Sequence, residues 1–185
     1  MSDINGKHAS IWINTNHPQD GLFRVYWKNP EQGGATLDSE EGEGLKYEWE
    51  YKDGQRADGI SKGWFPNGQM KSIHPWKDGE KNGLYNAWYE NGQKGTEMTW
   101  KDGKQVGLWT TWYENGQKKG EGNYKDGELD GLHTWWYRTG QKKYEGTYNN
   151  GKVELETLRY KNGKKRELTF KDGKLVGLDI VWSED

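Results

Sequence analysis

Short runs in which aromatic and polar residues alternate fill most of this chain, and nearly every run is closed by Asn-Gly or Asp-Gly. Alternation over 4–8 residues is the mark of a half-buried strand, and such dipeptides between two runs are the strongest short-range hairpin signal. The runs also repeat. Trp64-Phe65-Pro66-Asn67-Gly68-Gln69, Trp88-Tyr89-Glu90-Asn91-Gly92-Gln93, Trp112-Tyr113-Glu114-Asn115-Gly116-Gln117 and Trp136-Tyr137-Arg138-Thr139-Gly140-Gln141 begin 24 residues apart, and Arg159 to Lys164 is a degraded fifth copy. A second series, Lys52-Asp53-Gly54, Lys77-Asp78-Gly79, Lys101-Asp102-Gly103, Lys125-Asp126-Gly127, Asn149-Asn150-Gly151 and Lys171-Asp172-Gly173, runs in parallel with it. Each unit therefore reads as two short strands, for example Leu108 to Tyr113 and Gln117 to Tyr124, joined at both ends by type I′ turns. Connections of a few residues force sequential antiparallel pairing. The expected fold is all-β: a hairpin-repeat meander or solenoid of about fourteen strands, roughly 60–65 Å long if flat.

The whole of 1–185 reads as one array. Residues 1–20 form an N-terminal cap with a strand at Ser10-Ile11-Trp12-Ile13. Residues 21–58 form a divergent repeat whose hairpin loop, from about Pro30 to Gly44, is long and acidic. The regular repeats occupy 59–151, and a degraded repeat with a C-terminal cap at Asp179 to Trp182 fills 152–185.

Because successive strand residues point to opposite faces, each face can be read down the repeats. One carries Leu84, Leu108, Leu132 and Leu178 with Trp88, Trp112, Trp136 and Trp182, and its constancy suggests a stacked core. The other carries Tyr85, Trp109, His133 and Asp179, then Ala87, Thr111, Trp135 and Val181, then Tyr89, Tyr113 and Tyr137. Two of those columns change from unit to unit, as recognition positions of repeat proteins do. Coiling of the sheet would instead bury both faces. Gly120, Gly122 and Gly146 are expected to let neighbouring rings lie on bare backbone.

Composition narrows the class. The chain is 30% hydrophobic and 30% charged, with 12 Trp and 11 Tyr, and its mean hydropathy is −1.28. So polar a chain borders on disorder, but disordered chains lack aromatics, and here rings supply the core. There is no membrane-length apolar run, no signal peptide and no Cys, which favours the cytoplasm. Residues 1–60 hold six Lys or Arg against eleven acids, and the rest 21 against 18, too weak a bias for a nucleic-acid footprint.

Little carries chemistry. His8, His17, His74 and His133 lack ligand-like spacing, so no metal site and no cofactor is expected, and with no nucleophile or phosphate-loop motif the chain does not read as an enzyme. Lys118-Lys119, Lys142-Lys143 and Lys164-Lys165-Arg166 follow the Asn-Gly type turns and would line one edge. A basic stripe of that kind suits anionic lipid, but Glu121, Glu145 and Glu167 are interleaved with it.

The unit from Gly107 to Gly127 closely resembles the bacterial variant of the MORN repeat, strongly over 59–151 and loosely over 21–54 and 155–182. The departures are the acidic loop, Thr139 in place of Asn, and the shortened unit after Gly151. The resemblance implies β-hairpin arrays that act as antitoxin or immunity proteins, binding and blocking a cognate toxin. Eukaryotic relatives imply lipid-associated or scaffolding roles. The expected function is thus a non-enzymatic protein-binding module of the antitoxin type, with a structural or self-assembling scaffold (including a viral one) or a peripheral anionic-lipid binder as alternatives. Partner-binding candidates are Trp109, Tyr113, His133, Trp135 and Tyr137 on the changing face and Asp38, Glu40, Glu41 and Glu43 in the loop. Oligomeric state is left open.

Overall fold

A computed structural model of the chain describes residues 21–26, 45–53 and 55–182. They hold fifteen strand segments in a single sheet and no helix. These are β1 (Gly21–Tyr26), β2 (Leu45–Lys52), β3 (Gln55–Arg56), β4 (Gly59–Trp64), β5 (Met70–Lys77), β6 (Glu80–Lys81), β7 (Gly83–Trp88), β8 (Lys94–Lys101), β9 (Lys104–Trp112), β10 (Lys118–Lys125), β11 (Glu128–Trp136), β12 (Lys142–Asn149), β13 (Lys152–Arg159), β14 (Lys164–Lys171) and β15 (Lys174–Trp182). Thirteen follow one another in sequence order, every pairing is antiparallel, and the two-residue segments β3 and β6 pair with β2 and β5 beside β4 and β7. The meander read from the repeat is therefore the fold. The expected strand at Ser10 to Ile13 and the acidic loop lie outside the described residues.

The two turn series differ, and only one is of the expected type. At the Asp-Gly turns both central residues have positive φ, as in Asp102 (47°) with Gly103 (73°) and Asp126 (53°) with Gly127 (89°), which is the type I′ hairpin. Asn150 (46°) with Gly151 (76°) in the same series is of this type too, but at the turns of the other series, from Asn67-Gly68 to Asn162-Gly163, only glycine has positive φ, for example Gly116 at 82°. There the Gly116 amide donates to the Tyr113 carbonyl at 2.8 Å and the Tyr113 amide to that of Gln117 at 2.8 Å. This is a type I turn followed by a left-handed glycine. Its asparagine serves a different purpose. Asn115 Oδ1 accepts from the Gln117 amide at 3.2 Å while Nδ2 donates to the Arg138 carbonyl at 3.3 Å, one unit on. Asn67 and Asn91 donate likewise to Glu90 and Glu114, so the turns are tied into a ladder. Tyrosine makes a second ladder: the hydroxyls of Tyr89, Tyr113 and Tyr137 donate to the carbonyls of Trp112, Trp136 and Arg159 at 2.8, 2.7 and 3.0 Å.

Among the described residues no large side chain is fully buried. The described residues form a single-layer sheet whose faces are sorted by register. Thr110 pairs with both Glu97 and Glu121, Thr134 with Glu121 and Glu145, and Thr157 with Glu145 and Glu167, so these residues share one face with Leu108, Leu132 and Leu155. The other face carries Trp109, His133, Trp135, Tyr144 and Tyr148.

The assignment of core and surface comes out differently from the sequence reading. Leu84, Leu108 and Leu132, expected as core, are 48%, 59% and 54% exposed. Their cross-strand partners are Thr99, Asn123 and Thr147, too short and polar to cover them. The changing face is the better packed, because glycine rows let its rings settle onto backbone. Leu178 does not join the leucine column at all: it pairs with Leu168, on the aromatic face.

Candidate functional site

The aromatic face is built on three glycines. A Cβ at Gly120 would stand 2.7 Å from the Trp135 ring and 2.8 Å from that of Trp109, and one at Gly122 only 2.1 Å from His133 Nδ1. At Gly146 the clash would be with the Tyr144 hydroxyl and the Tyr148 ring. The expected role of these glycines is the observed one. Onto this floor Trp109 packs at 5.1 Å from Trp135 and 6.5 Å from His133, and Tyr124 and Tyr148 present their edges to His133 at 5.9 and 5.3 Å. His133 is 3% exposed, and its Nε2 lies 2.8 Å from the Asn123 carbonyl. A carbonyl can only accept, so Nε2 carries the proton. Burial lowers the pKa of this imidazole, against opposing contributions from the Asn123 hydrogen bond and from Asp130. Tyr144 donates to Glu156 at 3.0 Å and lies 2.6 Å from the Tyr148 hydroxyl. Burial first, then these partners, push its hydroxyl pKa up, and it stays a donor.

The opposite face carries the apolar row. Ile60, Leu84, Leu108, Leu132 and Leu155 occupy one column, one per unit, and are 41–59% exposed. Beside them the lysine doublets are split by bulges: the register shifts between Lys118 and Gly120, which turns Lys118 to the side of Glu121 and leaves Lys119 over the Tyr113 ring at 5.8 Å on the other. Lys94, Lys118 and Lys142 pair with Glu97, Glu121 and Glu145 three residues on, and the first two also lie over Trp112 and Trp136 at 5.8 and 5.9 Å. Arg159 stands in the next position of the tryptophan column and joins Lys142 on Glu145 at 2.5 Å. Burial disfavours the charged form of Glu145, but hydrogen bonds and attraction from Lys142 and Arg159 outweigh it and hold the carboxyl below its ordinary value. The doublets thus form ion pairs and ring contacts on two faces rather than a free basic stripe.

Of the expected partner-binding residues, Trp109, His133 and Trp135 come together in one cluster. Tyr113 and Tyr137 stand apart from it, their hydroxyls committed to the inter-unit ladder. Asp38, Glu40, Glu41 and Glu43 lie outside the described residues.

One feature of the aromatic face went unread in the sequence. Near the start of the regular array a hollow of about 310 Å³ is lined by Trp49, Arg56, Ser61, His74, Trp76 and Lys81, among others. The signal was present: the position after each Asp-Gly turn that holds Gln105, Leu129, Val153 or Leu175 in later units holds Arg56 and Lys81 here, paired with Tyr51 and Trp76.

The comparisons agree with this geometry. The chain has no match among curated proteins. The family model described as MORN repeat variant matches it three times, over residues 57–78, 105–126 and 129–150, which take in β4 and β5, β9 and β10, and β11 and β12. The unit between the first two matches has the same strands and turns.

Proposed function

We propose that the chain is a non-enzymatic protein-binding module of the antitoxin or immunity type, which neutralises a toxin by occupying its surface. One observation carries the binding reading: the row Ile60, Leu84, Leu108, Leu132 and Leu155, exposed on a sheet that no second layer covers among the described residues. Large apolar side chains left exposed in line on one face, unit after unit, suit an interaction surface. At about 4.8 Å per strand, the row's members recur every ~10 Å along ~40 Å of sheet. The row is flanked by the paired charges of Lys94 with Glu97, Lys118 with Glu121 and Lys142 with Glu145. The partner it fits has an apolar ridge bordered by both signs of charge, over an interface of roughly 1,200–2,000 Å². The toxin-blocking part of the reading rests on the repeat resemblance.

Co-expression with a toxic product of the adjacent gene tests it. Leu108→Asp with Leu132→Asp should abolish rescue of growth and leave the melt nearly unchanged. Trp109→Ala with Trp135→Ala should abolish rescue only along with stability. Full protection by the leucine variant would move the interface to the aromatic face, and an adjacent gene that is not toxic would refute the antitoxin reading.

A scaffold reading is favoured by a separate observation. Among the described strands β15 pairs on one side only, and Leu175, Val176, Leu178 and Ile180 are 48–62% exposed along it. Such an edge takes another strand from a second copy. Sedimentation of the full chain decides: concentration-dependent association lost in Val176→Lys supports assembly, and a monomer at all concentrations refutes it.

A further inference from the structure

The hollow near the start of the array differs from the rest of the aromatic face in its charge. Arg56 lies over two rings, its guanidinium carbon 5.4 Å from the Trp49 ring centroid and 4.6 Å from that of Trp76. Lys81 Nζ sits 4.5 Å over Trp100. Neither cation has an ion pair among the described residues, whereas Lys62, Lys94, Lys118, Lys142, Arg159 and Lys165 all have one. Their field reaches His74, whose pKa falls to about 4, chiefly through burial and then through Lys81 and Arg56, so the imidazole is uncharged at neutral pH. The floor is polar and fixed: Ser61 is 8% exposed, and its Oγ accepts from Trp76 Nε1 at 2.8 Å.

We propose that this hollow binds a carboxylate carried on a flat or apolar body, with Arg56 and Lys81 holding the anion and the tryptophan walls holding the body. A guanidinium whose face is taken up by rings keeps its edge for an anion, a planar fork that matches a planar carboxylate through two parallel hydrogen bonds. Charge alone does not separate the two anions, since two cations balance a doubly charged phosphate; the ring walls do, because inorganic phosphate has no flat or apolar body to lay against Trp49 and Trp76. The volume of about 310 Å³ lies at the small end of ligand sites, suited to a single ring or short side chain. The site is on the opposite face from the leucine row, so its test is independent of the protein-binding reading.

The experiment is a titration of the full chain at low salt with benzoate, acetate and inorganic phosphate, followed by the tryptophan indole N–H signals in 1H,15N spectra, with Trp76→Phe assigning the reporter. Benzoate should bind at about millimolar strength, acetate about tenfold more weakly, and phosphate, which has no ring to stack, more weakly than benzoate. Arg56→Gln and Lys81→Gln should each weaken benzoate about tenfold or more, as expected for a lost charge-assisted bond. Lys94→Gln, whose lysine is already paired on the other face, should leave it unchanged. Unaltered melting temperatures confirm that the variants fold. Absence of saturation by about 50 mM benzoate, equal binding by Arg56→Gln, or tighter binding of phosphate would each overturn the proposal.

Discussion

Gly122→Ala adds one methyl group at the point where the aromatic face is tightest. Its Cβ would lie 2.1, 2.4 and 2.5 Å from His133 Nδ1, Cε1 and Cγ, where ordinary contact is 3.4–4 Å. The ring must therefore move by more than 1 Å, yet Trp109, Tyr124 and Tyr148 wall it in and its Nε2 bond to Asn123 is 2.8 Å long. Overpacking of this kind costs about 1–3 kcal/mol, and a buried imidazole that loses its hydrogen bond about 1–3 more. Against that, Gly→Ala removes unfolded-state freedom and contributes about 0.4–1 kcal/mol. The net loss is roughly 2–4 kcal/mol, or a fall in Tm of about 5–15 °C for a chain of this size. Gly177→Ala is the matched control. Its nearest neighbours would be Thr169 Cβ at 3.5 Å and Oγ1 at 3.6 Å, with no left-handed backbone, so only the entropic gain remains and Tm should rise by about 1–4 °C. Thermal unfolding followed by near-ultraviolet circular dichroism reads both. In a His133→Ala background Gly122→Ala should become nearly neutral, because the clashing ring is gone. Shifts of the same sign for Gly122→Ala and Gly177→Ala would refute the seating of His133 on bare backbone.

Trp109→Ala should cost on the order of 3–5 kcal/mol, at least as much as Trp112→Ala, because Trp109 contacts Trp135, His133 and the Gly120 backbone; a clearly smaller loss in thermal melts would show the leucine face to be the true core. Tyr113→Phe deletes the 2.7 Å bond to the Trp136 carbonyl and should lower stability by about 1 kcal/mol, with Tyr137→Phe doing the same at the next joint; no change in either melt would remove the tyrosine ladder as a joint. Stability should fall on acidification, because His74 has a folded pKa of about 4 against an ordinary 6.5. The unfolded chain then binds the extra proton, so the contribution is complete above pH 6.5 and is lost as pH falls toward 4. His74→Gln should flatten the Tm profile in that window, and a profile unchanged by the variant would refute the assignment.

The strand order was legible because each unit announces its own hairpins. In the Asp-Gly series, Asn150-Gly151 included, the dipeptide specified its turn type fully, since aspartate and asparagine both accept positive φ, whereas the same rule misread the turns at Asn67, Asn91 and Asn115, where asparagine is kept for a side-chain bridge to the next turn. The glycine rows were legible for a similarly local reason: a bare position beside a ring needs no knowledge of the rest of the molecule. The faces were not. Constancy within a repeat reports that a position does the same thing in every unit, and stacking is only one such thing; a row repeated on a surface looks identical in sequence. The hollow was hidden because Arg56 meets Trp49 and Trp76 only once β2, β3 and β5 are side by side.

Bulge arithmetic explains where the leucine row stops. Between the paired residues Thr99 with Val106 and Glu97 with Thr110, and again between Asn123 with Asp130 and Glu121 with Thr134, one strand carries two more residues than the other. An even excess preserves alternation, so Leu108 and Leu132 stay on the same face. In β13 the excess is one, Thr147 facing Leu155 and Tyr148 facing Val153, and the unit after Gly151 is also one residue shorter before its leucine. The two changes cancel and keep Leu155 in the row. In β15 the excess is again one, Thr169 facing Gly177 and Phe170 facing Leu175, but the spacing from Gly173 to Leu178 is the full one. Nothing cancels, Gly177 takes the row position, and Leu178 turns to the aromatic face. A one-residue slip moves every side chain beyond it across the sheet, so the leucine row ends at Leu155, and the apolar residues of β15 belong to the sheet edge instead. Deleting one residue between Gly173 and Gly177 should therefore bring Leu178 into the row and extend it by one unit. Lengthened protection of that face in hydrogen exchange with a bound partner would confirm this, and an unchanged footprint would refute it.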